Sequence, residues 1–205
     1  MMQQPYKKDY LNQFYNQFFC EDYSVYISAD TKPVYPFDVL ASSDTAALEK
    51  IAADPDMESR IRLLAYRRLA SLGIPIAEKI LLGVIVEVDM EQGLDTLAVY
   101  ADGSARLIGQ AENMIIWEQR TKESDELISQ LFNDSKNVVA MIGPWTEDRL
   151  PHPAAGEVRL NFLVSDGYYF GQGPFAVLSK DAMGGPVIAT ATDLLVFLVT
   201  HGEIA

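Results

Sequence analysis

Few side chains in this sequence have the type and spacing for chemistry, and the strongest set lies in its last third. Arg159, Asn161, Tyr168 and Phe170 alternate through a stretch that reads as a hairpin, so they share one strand face, and Trp145 stands in the loop before it. Together they offer a guanidinium, an amide, a phenol and aromatic rings. That mixture suits an apolar pocket with a few convergent polar groups, and equally a surface that recognises another protein. Arg106 is the other candidate. It is expected on the strand face of Leu97, Val99 and Ile108, where a buried guanidinium requires a carboxylate or an anionic ligand.

The remaining reactive groups have simpler accounts. His152 lies near Trp145, Asp148 and Arg149, so a general base with an orienting carboxylate can be drawn, but an exposed loop histidine explains it. His201 follows an apolar helix, where a cation complements the C-terminal dipole. Cys20 sits on an aromatic helical stripe and reads as a small buried hydrophobe rather than a nucleophile. Gly171-Gln172-Gly173 lacks the Gly-Lys-Ser/Thr of a phosphate loop, and Ser165-Asp166-Gly167 lacks the Gly-x-Ser-x-Gly of a nucleophile elbow. Asp89, Glu91 and Asp95 around Gly93 do not have calcium-loop spacing, and one cysteine with two histidines leaves no zinc set. The sequence therefore predicts no catalytic residue, no metal and no cofactor.

These residues must be positioned by ordinary α+β elements. Between Leu81 and Glu118, β-branched residues at period two and three turn signals predict an antiparallel meander of four strands. Asp102-Gly103 has the sequence of a type I′ hairpin turn, which would pair Val99 with Arg106 and Leu97 with Ile108. Asp166-Gly167 suggests the same for a second hairpin, with Val164 opposite Tyr169 and Leu163 opposite Phe170. One face of that hairpin reads Val158, Leu160, Phe162, Val164 and Tyr169, which is core; Gly171 to Pro174 would close it.

Helices are expected on either side of the meander. Tyr10, Leu11, Phe14, Tyr15, Phe18 and Phe19 recur at helical spacing over residues 8–20. An irregular connector follows over 24–43, then a helix at Asp44 to Ala53, and another opening at Asp54-Pro55 and stopping at Gly73. Beyond the meander the pattern gives a helix over 124–136, a short strand at Val138 to Ile142, a long loop to Gly156, and a last helix over 186–200. The expected whole is a mainly antiparallel sheet of six or seven strands with flanking helices. Residues 1–79 form a helical arm or lobe and 80–205 the sheet domain, together one unit.

Composition narrows the function classes. With 205 residues and 49% hydrophobic content the chain can bury a large core. Its net charge of −13 argues against nucleic acid and anionic membranes as partners. Residues 1–79 hold 9 Lys/Arg against 11 Asp/Glu, a net of −2, while 80–205 hold 7 against 18, a net of −11. The lone cysteine and an N-terminus without a continuous apolar run point to the cytoplasm. The apolar run Val187 to Val199 is broken by Thr190, Thr192 and Asp193 and falls short of the ~20 residues of a membrane span.

Three roles are compatible with these features. The foremost is a non-enzymatic interaction or regulatory protein that binds a protein partner or a second copy of itself through aromatic surface. The alternative is a small-molecule binder or enzyme with a pocket between the 157–173 hairpin and the 143–156 loop. The second alternative is an acidic inhibitor or immunity-type protein that binds a basic partner.

Overall fold

Alternating branched residues build the longest strand of the chain. In the computed structural model, which describes residues 2–27, 32–90 and 92–204, β1 (Leu81–Met90) leads into β2 (Gly93–Tyr100), β3 (Ala105–Ile108) and β4 (Met114–Trp117). This is the expected meander. The hairpin of β5 (Glu157–Val164) and β6 (Gly167–Pro174) pairs with the free side of β1, and the short β7 (Glu203–Ile204) joins β4. The sheet runs β6-β5-β1-β2-β3-β4-β7, antiparallel at each junction, and the fold is α+β.

Period two gives the sheet two faces, and helices cover both. On one, Val84, Val86, Leu97, Val99, Leu107, Leu160 and Phe162 meet α5 (Lys122–Met141), the single-turn α6 (Phe175–Leu178) and α7 (Gly184–His201). On the other, Ile85, Ala98, Tyr100, Ile108 and Leu163 meet α1 (Asp9–Phe18), α2 (Phe37–Leu40), α3 (Thr45–Ala53) and α4 (Ser59–Ser71). The aromatic stripe of α1 faces inward: Leu11, Tyr15, Phe18 and Phe19 are buried, leaving Tyr10 and Phe14 outside.

Local signals set the helix ends. Asp44 caps α3 by accepting from the Ala47 amide at 3.1 Å. Thr121 and Ser124 form a reciprocal cap on α5, with Glu123 and Asp125 at its positive end. Gly73, at φ +79°, ends α4 in a Schellman motif: Ile74 N–H donates to Leu69 O and Gly73 N–H to Ala70 O, each at 3.0 Å.

Five local expectations are corrected, each for a physical reason. The stretch Val138 to Ile142 is the last turn of α5 and the residue after it, not a strand, because nothing before Gly143-Pro144 breaks the helix. Leu131, Phe132, Ser135, Val138 and Val139 continue one buried helical stripe. Helix α4 opens at Ser59 rather than at Asp54-Pro55, since Asp54 bends back to accept from the Asp56 amide at 3.0 Å. Gly171 to Pro174 extend β6 rather than ending the hairpin. Residues 28–31 of the irregular connector lie outside the described residues; around them are a 3-10 turn at Tyr23–Tyr26 and α2.

Both hairpins pair differently from the I′ expectation. In the first, Val99 faces Ala105, Leu97 faces Leu107 and Ala98 faces Arg106. The loop has three residues, Ala101–Gly103, with Gly103 at φ +91° and Tyr100 N–H donating to Ser104 O at 2.9 Å. Asp102 has a better use than a tight turn: its carboxylate accepts from Ser104 and from the Ser59 amide at 2.7 Å, capping α4. The one-residue change moves Arg106 to the opposite face, with Ala98 and Ile108. In the second hairpin Ser165-Asp166 is the turn, with Val164 facing Gly167 and Leu163 facing Tyr168. Ser165 is fixed by Ile80, whose carbonyl accepts from its amide and whose amide donates to its hydroxyl, each at 2.8 Å. That shift of two residues leaves the hairpin faces as expected, with Val158, Leu160, Phe162, Val164 and Tyr169 in the core.

Candidate functional site

A polar row crosses the sheet beneath α1. The registers align Thr96 of β2, Glu87 of β1, Arg159 of β5 and Gln172 of β6 side by side. Glu87 is fully buried, so its carboxyl group must be compensated within the protein. The Tyr15 hydroxyl donates to it at 2.6 Å, the Asn161 amide donates at 3.0 Å, and the Arg159 guanidinium stands 3.7 Å away. Arg159, 1% exposed, also donates to Gln172 Oε1 at 2.8 Å, to Leu150 O at 3.1 Å and to Pro151 O at 2.5 Å. Tyr168 donates to Asn161 Oδ1 at 2.5 Å, and Tyr6 and Thr96 share a hydrogen bond of 2.7 Å. Burial first, then the charge of Glu87, pushes the Tyr15 and Tyr168 phenols upward, so both remain protonated donors.

Arg149 ties the long loop to α1. Its guanidinium lies 3.7 Å from the centre of the Phe19 ring and donates to Glu21 at 3.0 Å, to Asn16 at 3.0 Å and to the Tyr15 hydroxyl at 3.2 Å. Gln3 donates to the carbonyls of Arg149 and Leu150. The segment 143–156 thus has no helix or strand, yet side chains from α1, β5, the N-terminal segment and the residues just after α1 hold it in place.

Above this layer the sheet ends in an aromatic cluster. Tyr168 stacks on Phe170 at 5.7 Å, and Trp145 meets Phe170 edge-on at 5.1 Å. The Trp145 amide donates to Tyr168 O at 2.7 Å and its indole N–H to Asp148 O at 3.0 Å. The ring is fixed in place and 36% exposed.

Five of the six candidate residues therefore converge: Trp145, Arg159, Asn161, Tyr168 and Phe170. Arg106 is remote. It pairs with Glu118 at 2.6 Å and donates to the carbonyls of Ala105 and Trp117, an ion pair at the sheet's far side. Glu87, Tyr15, Arg149 and Gln172 complete the cluster and were not singled out from sequence. A glutamate on the inward face of a β-branched strand was the available signal for Glu87; Tyr15 and Arg149 arrive from distant segments and carried none.

Between the hairpin and the 143–156 loop stands the Arg159 guanidinium, bonded to the carbonyls of Leu150 and Pro151. At the end of the sheet a cavity of about 390 Å³ is lined by Tyr6, Lys7, Gln92, Leu94 and Gln110. A wider cleft with Met90, Gln92, Gln110 and Gly156 adjoins it. His152 pairs with Asp89 at 3.3 Å rather than with Asp148. Cys20 is buried at φ +51°, and burial pushes its thiol up to about 11, so it is not a thiolate at neutral pH. His201 stacks on Phe197 at the end of α7.

Comparison with known proteins yields no match: no family description, curated protein or solved structure resembles the chain significantly. Function must be read from the site alone.

Proposed function

We propose that this chain is a protein-interaction domain without a catalytic role, whose recognition surface is the aromatic end of the sheet around Trp145, Tyr168 and Phe170. One observation carries the reading. The groups below that surface that could do acid–base or anion chemistry direct their hydrogen bonds at one another, while Trp145 is held rigid and 36% exposed above them. A ring fixed before binding loses little conformational freedom on docking, and tryptophan, tyrosine and arginine are the usual binding hot spots.

Affinity capture from the native cell at low and high salt tests it. A protein retained by the wild-type chain should be lost with Trp145→Ala and kept with Val196→Ala, an exposed position on α7. A hot-spot cost of about 2 kcal/mol corresponds to roughly 30-fold weaker binding. Equal retention by wild type and Trp145→Ala overturns the reading. Retention lost at high salt would identify the partner as basic, in line with the −11 balance of residues 80–205.

A second reading is a small-molecule site, supported by the cavity of about 390 Å³ at the sheet end. Its size suits a ligand, and Lys7 with two glutamine amides supplies the few polar contacts such a site needs. Compounds that raise the melting temperature of wild type should raise it less in Gln92→Ala. Equal shifts in both proteins would sink this alternative.

A further inference from the structure

The sheet order leaves one side of β6 without a neighbouring strand. Trp145 N–H donates to Tyr168 O from that side, so the Tyr168 carbonyl points away from β5. Backbone groups alternate along a strand, and the β5–β6 register is unbroken, so Phe170, Gln172 and Pro174 point outward as well. No described residue bonds the amides or carbonyls of Phe170 and Gln172. The unpaired stretch is bounded by Trp145 at Tyr168 and by the end of the strand at Pro174, which puts Gln172 at its centre.

Gly171 is the second observation. Its φ is not positive, no heavy atom lies within 4 Å of where a Cβ would stand, and the strand has no bulge there. Neither turn geometry nor packing within the chain calls for glycine. A glycine inside a strand often marks a bulge, a tight bend, or the close approach of a ligand or another backbone, and the first is absent at Gly171. Gly173, by contrast, has Leu178 at 3.4 Å to account for it.

We propose that the open edge of β6 pairs antiparallel with β6 of a second copy, about a two-fold axis at Gln172. This goes beyond the interaction reading above, adding a contact between copies that does not involve Trp145. In that register Gln172 exchanges both main-chain bonds with Gln172 of the second copy, and each Phe170 amide donates to the Pro174 carbonyl opposite. Gly171 falls opposite Gly173 in the non-bonded pairs, where strands approach most closely. The missing N–H of Pro174 leaves only the Phe170 carbonyl without a bond. The second strand ends before it reaches Trp145. The segment Gly167–Pro174 carries no charge, although the chain as a whole carries −13. The strand itself thus sets no like charges against each other, and the carboxylate beside it, Glu157 of β5, is held by the Gln172 side-chain amide at 2.7 Å. Two isologous halves also satisfy the closed symmetry of most homo-oligomers.

Light scattering on the full chain tests the pairing. Wild type should rise in mass with concentration from 22.8 kDa towards twice that value. The rise should be steeper at about 0.5 M than at about 0.05 M salt, as the screening length falls from ~14 to ~4 Å. Gln172→Pro removes an outward amide that the β5 ladder does not use, together with the side-chain acceptor of Arg159 Nε; with its fold checked by circular dichroism, it should remain monomeric. Gln172→Lys and Gln172→Glu place like charges face to face on the axis; each should be monomeric alone, and their equimolar mixture should pair again. Wild type that stays at 22.8 kDa at every concentration and salt overturns the proposal, as does Gln172→Pro that pairs as wild type does. A monomer that still retains a Trp145-dependent partner in the capture experiment also overturns it, while leaving the interaction reading intact.

Discussion

A carboxyl group without solvent exposure persists only if the protein replaces the water it has lost, and Glu87 shows what that takes. Three side chains from α1 and β5 converge on it, and Arg159 in turn grips the loop through two carbonyls. Removing Arg159 strands Glu87 and those carbonyls together. Arg159→Ala should therefore cost about 3–5 kcal/mol in urea unfolding. A loss under ~1 kcal/mol would show that water reaches the layer. Asp102 responds to pH. Burial, the largest single influence, acts to raise its pKa, but hydrogen bonds from Ser104 and Ser59 and the nearby Arg60 outweigh it and hold the carboxyl below its usual value. A depressed folded-state pKa contributes stability that is present above the unfolded value of about 3.9 and is lost as pH falls through the folded value. Wild type should thus lose more stability than Asp102→Asn between about pH 5 and pH 2 in acid titrations; equal losses would remove the link between the hairpin and α4.

At the level of elements, φ angles separate strain from packing. Gly73 has open space around its missing Cβ and φ +79°, so Gly73→Ala should cost about 1 kcal/mol from backbone strain alone, measured by thermal unfolding. The meander, the amphipathic α1 and the last helix were legible because each depends on local periodicity. The hairpin registers were not. Asp102 and Ser165 are drawn out of I′ geometry by Ser59 and Ile80, which lie far away in sequence. The false strand at Val138 to Ile142 arose because a short apolar run has no distinctive period, whereas the longer stripe from Leu131 does. The candidate site divides in the same way. Arg159, Asn161, Tyr168 and Phe170 came together because one hairpin carries them, and Trp145 because it adjoins them in space. Tyr15 and Arg149 belong to the same cluster only through tertiary packing.

At the scale of the whole molecule, a sheet covered on both faces can grow only at its edges. One edge is the two-residue β7; the other is β6, shielded by Trp145 at its start and by Pro174 at its end. The stretch between them presents outward amides, a glycine that packing does not explain, and a fixed tryptophan beside it. Repulsion between two chains of −13 each makes any such pairing weak and dependent on salt. Amide exchange resolved by residue reads the edge directly. Along β6, Tyr169 and Gly171 point towards β5 and should be protected at all concentrations. Phe170 and Gln172 should exchange freely in dilute protein and slow as its concentration rises from about 10 μM to about 1 mM, the range of a small, transient interface. Exchange at Phe170 and Gln172 that stays fast and unchanged across that range would contradict the assignment of the β6 edge.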